Sequence, residues 1–566
     1  MSSEKRPRVA NRRSAAIAGT AVIALGAVAA GCGGGTTTKA GATVGKVATF
    51  IPAGSPMYAE VSTDLSGPQW TQLTALAKKF PAYPELIKKL DDDPKMKLGW
   101  TVIKPLLGTR AAIGVTSIPS GAAAQAGSGA SDLAKGSLPS VSTGDAPVVL
   151  AAEIASGKGK DVQALIMAEG QAKVLGTHNG VEYFGDEKTQ GAIVDDVLVI
   201  ANTHDGLFKS LDAHAAGGDR TIAGTQRVKD ALAKLPADVF VQAYVDYNAI
   251  LKAGASSNPA GAAALNALNI SPDASLAVSL SAETDGVRMK GISSGLGAAS
   301  NAGAQDFTPK LIANAPADSI AYFGFSNLAA QAKYTLDTVL KSNPDAQRQL
   351  AGALPQVPAL LGVSVDDLKA LTTKEHAVIV SKGKGVPNVA LVLEQADGAR
   401  ASKTIEALRA KLPTLAGAIP QTAGKIAAFE KVDLGGGLTG WQTQVPNSNG
   451  FPGTLAPTEA VDGSNVIIGL NPDSVKAVRK PVASLASNAD YAAAAKQVPD
   501  AVSSLMWLNV PEAVKAVQAL QTPGGKDPFE GAQGKKLKAN LAPVKSVVGW
   551  ATAGAEPTTE AFVTIK

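Results

Sequence analysis

The chain is short of the residues that most chemistry needs. It holds one cysteine and four histidines in 566 residues, and only 4 % of it is aromatic. One cysteine cannot close an internal disulfide, so the folded part must rest on its hydrophobic cores, which at this length are ample. The histidines, His178, His204, His214 and His376, are scattered and lack the spacing of a helical zinc site. Asp91-Asp92-Asp93 lacks the alternating ligands and the glycine of a calcium loop, and reads as a solvated helix end. Gly524-Gly525-Lys526 runs into Asp527 without the upstream glycine of a phosphate-binding loop. We expect no metal and no cofactor.

Charge is scarce as well. Charged residues make up 18 % of the chain against 45 % hydrophobic, which excludes a disordered protein. The formal net charge is +5, but Lys5, Arg6, Arg8, Arg12 and Arg13 stand near the N-terminus against Glu4 alone. Beyond residue 31 there remain 48 bases against 47 acids, a net of +1. A near-neutral chain lacks the concentrated basic face that nucleic acid requires.

What is present begins with an address. The five bases are followed by an uncharged run from Ser14 to Gly31, ending in Ala29-Ala30-Gly31-Cys32. A basic region, an apolar region and small residues before the junction read as an export signal. Small residues directly before the cysteine resemble the lipobox of bacterial lipoproteins. That resemblance implies lipid attachment at Cys32 and removal of residues 1–31. An uncleaved N-terminal transmembrane anchor is the alternative, since the run is about long enough to span a bilayer. Residues 32–46 are small and polar and read as a flexible tether. Both alternatives place the chain on the outer, extracytoplasmic face of the cell membrane.

The rest is a pattern that occurs twice. Pro52 to Ser62 aligns without gaps on Pro316 to Ser326, setting Tyr58 against Tyr322. Arg110 to Val115 matches His376 to Val380, and Pro147 to Glu153 matches Pro387 to Glu394. Val194 to Ala201 matches Val461 to Ile468, with Asp195-Asp196 and Asp462-Gly463 at the turns. Leu235-Pro236 precedes a strand ending at Tyr244-Val245-Asp246, and Val498-Pro499 one ending at Trp507-Leu508-Asn509. Asp285-Gly286 marks a hairpin whose counterpart ends the chain. Period-2 strands with helices inserted between hairpins favour an α+β fold: two tandem homologous repeats, each a mainly antiparallel β-sheet with packed helices. We place the first repeat at 47–295, a linker at 296–305 and the second repeat at 306–566. Residues 119–146 are rich in Gly, Ala and Ser, and read as a disordered insertion.

Two motif matches fail on context. Gly291-Ile292-Ser293-Ser294-Gly295 fits the hydrolase pattern but lies where a hairpin strand runs into a linker, with only His376 downstream. Gly435-Gly436-Gly437-Leu438-Thr439-Gly440 fits the dinucleotide pattern but is followed by a strand, so it reads as a hairpin loop. We assign no catalytic residue.

With the lipobox, the Pro-Ala-x-Ser-x-x-Tyr strand openings and the Leu235-Pro236-Ala237-Asp238 segment, the chain resembles the actinobacterial extracytoplasmic proteins grouped as domain of unknown function 3352. That resemblance implies a cell-envelope address and a duplicated build. It brings no catalytic residues and no cofactor. The expected function is that of a non-enzymatic envelope lipoprotein binding a lipid, a wall component or an envelope partner. An envelope hydrolase and a structural spacer are the alternatives. The recurring aromatics Tyr58, Tyr322, Tyr244 and Trp507 are the candidate binding residues. They read either as core or as the wall of an apolar groove between sheet and helices.

Overall fold

The computed structural model describes residues 42–92, 104–118, 146–170, 172–186, 188–256, 270–296, 304–333, 354–418, 428–445, 455–520 and 529–566, with positions 336, 348, 352 and 527. Cys32, residues 1–31 and residues 119–145 of the expected insertion lie outside them, as does most of the expected linker.

Alternating apolar residues between Gly, Pro and Asp turns become strands. The first ten are β1 (Met57–Ser62), β2 (Leu107–Val115), β3 (Val148–Ile154), β4 (Lys173–His178), β5 (Val181–Gly185), β6 (Gln190–Val194), β7 (Val197–Ala201), β8 (Val241–Asp246), β9 (Ser275–Glu283) and β10 (Gly286–Ser294). The next ten are β11 (Ser319–Ser326), β12 (Glu375–Ser381), β13 (Asn388–Glu394), β14 (Glu430–Asp433), β15 (Thr439–Gln442), β16 (Thr458–Asp462), β17 (Asn465–Gly469), β18 (Ser504–Asn509), β19 (Val544–Thr552) and β20 (Thr558–Ile565).

All twenty belong to one antiparallel sheet. Its order is β4-β5-β6-β7-β3-β2-β1-β8-β9-β10-β20-β19-β18-β11-β12-β13-β17-β16-β15-β14. Read from either end, the order is the same once ten is added to each label. The expectation of one sheet per half is thus replaced by a shared sheet, because the last strands of the two halves, β10 and β20, pair along their length. Ile292 and Phe562 hold equivalent places: Ile292 opposes Ala277, which opposes Tyr244, and Phe562 opposes Val548, which opposes Trp507. Two residues before each stand Lys290 and Glu560, which oppose one another and form an ion pair at 3.6 Å. The centre of the molecule is therefore a charge pair between its halves.

On one face the sheet carries two cores. The first gathers Tyr58, Val149, Val199 and Tyr244 under the turn Lys46–Phe50 and the helices His204–Ala216 and Gln226–Leu232. The second gathers Tyr322, Val392, Trp507 and Trp550 under the turn Leu311–Asn314 and the helices Pro472–Arg479 and Ala489–Ala495. Corresponding helices start on corresponding caps. Thr203 accepts from the Gly206 N–H and Asn471 from the Ser474 N–H, each satisfying an otherwise free amide of the first turn.

Helices also pack on the second face. Helix Pro68–Ala77 sets Leu73 and Leu76 against Ala282, Val287, Val563 and Ile565, across the β10–β20 seam. Helix Tyr247–Ser256 sets Tyr247 and Leu251 on Leu276 and Val278. Helix Gly398–Ala418 sets Ala401, Ile405 and Leu408 on Leu393, Val461 and Val466. The result is a sheet between two helical layers. Part of the expected tether belongs to this fold: Ala42 is buried and its N–H reaches the Leu235 carbonyl at 3.2 Å.

Candidate functional site

The four recurring aromatics oppose one another in pairs, Tyr58 beside Tyr244 and Tyr322 beside Trp507. Each is at most 1 % exposed and sits in one of the two cores. The tyrosines act as latches. The Tyr58 hydroxyl donates to Glu60, which also accepts the Gly45 N–H at 2.9 Å and pairs with Arg110. The Tyr322 hydroxyl donates to Glu375 at 3.2 Å, and Glu375 accepts the Lys310 and Leu311 N–H groups at 2.7 and 3.0 Å. In both halves a buried carboxylate thus ties the segment before the strand to the sheet. The acid has changed strands between them: Glu375 stands where the first half has Arg110, and Gly324 where it has Glu60. Gly324 is needed there, since a Cβ would lie 2.6 Å from the Tyr322 hydroxyl. Burial, then the neighbouring carboxylate, pushes both tyrosine pKa values well up, so the phenols stay protonated.

Ser293 and His376, the pair that a hydrolase reading needs, are not brought together. Ser293 lies on β10 and His376 on β12, with β20, β19, β18 and β11 between them. Five strand spacings amount to about 24 Å. Gly435, Gly436 and Gly437 all have positive φ in the loop joining antiparallel β14 and β15. The loop leads into β15 and not into a helix N-terminus of the kind that holds a pyrophosphate. Among the described residues no group of three His, Cys, Asp or Glu could hold a metal ion. None of their helices is long and apolar enough to cross a membrane.

The unusual surface is the second face of the sheet. One row of directly opposed residues runs Val61, Val241, Leu280, Met289, Ala561, Gly549, Met506, Phe323, Val378, Leu391 and Ile468, from β1 to β17. Antiparallel sheets commonly turn a polar face to water, yet this row is apolar throughout. Its first part runs beside the cluster under helix Pro68–Ala77, two residues along the strands from Ala282, Val287 and Val563, and Val241 and Ala561 are buried. Its last part is open at Phe323, 43 % exposed, and Ile468, 38 % exposed, while Val378 and Leu391 between them are half-buried and Leu391 packs on the Ala401–Ile405 cluster. Phe323 leans on Phe325 at 5.3 Å between ring centroids. Leu412, farther along the helix that bounds this end, is exposed too.

Beyond Ile468 the same row changes character. It continues through Glu459, Trp441 and Lys431 on β16, β15 and β14. Arg409, from helix Gly398–Ala418, pairs with Glu459 and lies 4.0 Å above the Trp441 ring, and the Lys431 ammonium is 5.4 Å from that ring. Burial pushes the Glu459 carboxyl up, and Arg409 pulls it back. In the first half the corresponding row reads Ala59, Ile113, Leu150, Ile200, Gly191, Phe184 and Val174. The exposed aromatic and the charged end belong to the second half alone.

Sequence reasoning missed Phe323, Arg409, Trp441 and Lys431. The alignment of Pro52–Ser62 with Pro316–Ser326 did set Phe323 against Ala59. A large aromatic facing a small residue, next to the matched tyrosines, was the available signal.

A family model described as "Protein of unknown function (DUF3352)" matches residues 15–517. The chain belongs to this family. The match covers the first half and the second as far as residue 517, with every residue of the row except Ala561 and Gly549. No curated protein matches the chain. Among solved structures, crystal forms III and IV of TP0453 are similar over 44 % of this chain and 80 % of theirs. Their identities are 9 % and 8 %, each with a TM-score of 0.25.

Proposed function

We propose that this DUF3352 protein is an envelope lipoprotein that binds an apolar ligand without transforming it. Its two halves are tandem homologous repeats. The observation that carries the reading is the open end of the apolar row. Exposed apolar area of this kind is costly in water and marks binding surfaces, and a lipid is the envelope component that best matches an apolar floor. The identical strand order of the halves and the shared placement of Tyr58 and Tyr322 support the duplication. The Cys32 junction supports anchoring on the outer face of the cell membrane, with the domains held above it.

The reading is tested by a Cys32→Ala variant. Fractionation is expected to move the protein out of the membrane fraction, and an unchanged membrane fraction would count against the lipid anchor. An organic extract of the released variant is expected to contain acyl lipid by mass spectrometry. An extract free of lipid would count against the binding role.

A further inference from the structure

We propose that the second half holds an anionic amphiphile, its acyl chain along Phe323, Val378, Leu391 and Ile468 and its charged head at Lys431 and Arg409. This inference rests on the binding role argued above and names the ligand class.

Three observations carry it. The floor is the right length: four opposed residues on adjacent strands span three spacings, about 14 Å. One leaflet of a bilayer core, half of about 30 Å, is the room one acyl chain occupies. The floor is also uninterrupted, since no polar side chain enters the row between Phe323 and Ile468.

The charge lies at one end only. Past Ile468 come Glu459, Trp441 and Lys431, and Arg409 reaches the same place from the helix above. Arg409 is committed to Glu459, and the ammonium of Lys431 is exposed beside Trp441, with Asp433 two residues along the same strand. Lys431 stands three further strand spacings, about 14 Å, past Ile468, so a chain whose head reaches Arg409 or Lys431 crosses Trp441 and lies on the Ile468 end of the apolar floor. A neutral lipid leaves the cationic end unused.

The fold does not demand these residues. The first half builds the same strands with Ala59 in place of Phe323, Phe184 in place of Trp441 and Val174 in place of Lys431. Phe323 in particular buries too little of its ring to be explained by the core. The first half is thus an internal control for what the architecture needs.

A carboxylate or a lipid phosphate supplies the same chemistry, and the experiment separates them. Purified full-length Cys32→Ala protein is titrated by calorimetry with palmitate, with palmitoyl lysophosphatidylglycerol and with uncharged hexadecanol. Phe323→Ala and Lys431→Val, each carrying the first half's residue, are titrated in parallel. The Cys32→Ala parent is expected to bind one anionic amphiphile per chain, at least tenfold tighter than hexadecanol. The tighter of palmitate and the lysolipid names the head. Lys431→Val should remove that preference and leave hexadecanol unchanged, whereas Phe323→Ala should weaken all three about tenfold. Equal binding of palmitate and hexadecanol, or full binding by Phe323→Ala, would overturn the assignment while leaving a binding role elsewhere intact. Failure of the Cys32→Ala parent to bind any of the three, together with a lipid-free extract, would remove the binding role itself.

Discussion

At the scale of single residues, the two halves solve one problem with different side chains. A buried tyrosine needs a partner for its hydroxyl, and a carboxylate supplies it from Glu60 in one half and Glu375 in the other. Next to Glu375, His376 points to the opposite face of the sheet, is fully buried and meets Phe325 edge-on at 5.4 Å. Burial lowers its pKa from the ordinary 6.5, outweighing the opposing effect of backbone acceptors at Thr372 and Glu375. A histidine whose folded pKa is depressed leaves the unfolded state holding more protons at mildly acid pH. Its contribution to stability is therefore complete above about 6.5 and lost as pH falls toward the folded value. Thermal unfolding should show a drop in Tm between pH 7 and pH 5 that is smaller in His376→Leu than in wild type. Identical pH profiles would show that His376 is not a source of acid sensitivity.

At the scale of elements, the seam between β10 and β20 decides the architecture. Gly286 opens β10 opposite Thr564, and a Cβ there would lie 2.0 Å from the Val563 carbonyl oxygen. Gly286→Ala should cost about 1–3 kcal/mol by overpacking, read as a lower denaturation midpoint in urea. An unchanged midpoint would mean that the seam tolerates displacement. Much of the local structure was legible in the sequence. Asp195 and Asp196 take positive φ in the β6–β7 turn, as a two-residue hairpin requires, and Gly463 does so in its counterpart. The Asp285-Gly286 hairpin and the strands around Tyr58 and Tyr322 follow from alternation and turn chemistry. The seam was not legible. Pattern along the chain reports which face a strand buries, but not which distant strand it pairs with, and β10 and β20 each looked like the last strand of a separate sheet. The candidate site was hidden for the same reason. Phe323, Leu391, Ile468, Trp441 and Lys431 lie on five strands far apart in sequence, and only the register aligns them.

At the scale of the whole molecule, two halves of identical strand order form a symmetric frame with an asymmetric surface. The frame uses one face for two matched cores, with the Lys290–Glu560 pair at its centre. The other face is closed over the seam by helix Pro68–Ala77 and opens toward Phe323 and Ile468. The free ends of the sheet are poor templates for added strands. β14 is four residues long and carries Glu430, Lys431 and Asp433, and β4 pairs irregularly between Val174 and Gly176. The second face is therefore the better place for a ligand than an edge. The most direct measurement is photo-crosslinking of the full-length protein with a palmitate analogue carrying a diazirine near the chain end, followed by peptide mapping. The account predicts adducts on peptides containing Phe323, Leu391 or Ile468, suppressed by excess palmitate. Adducts confined to the first half, or spread over the surface without competition, would contradict it.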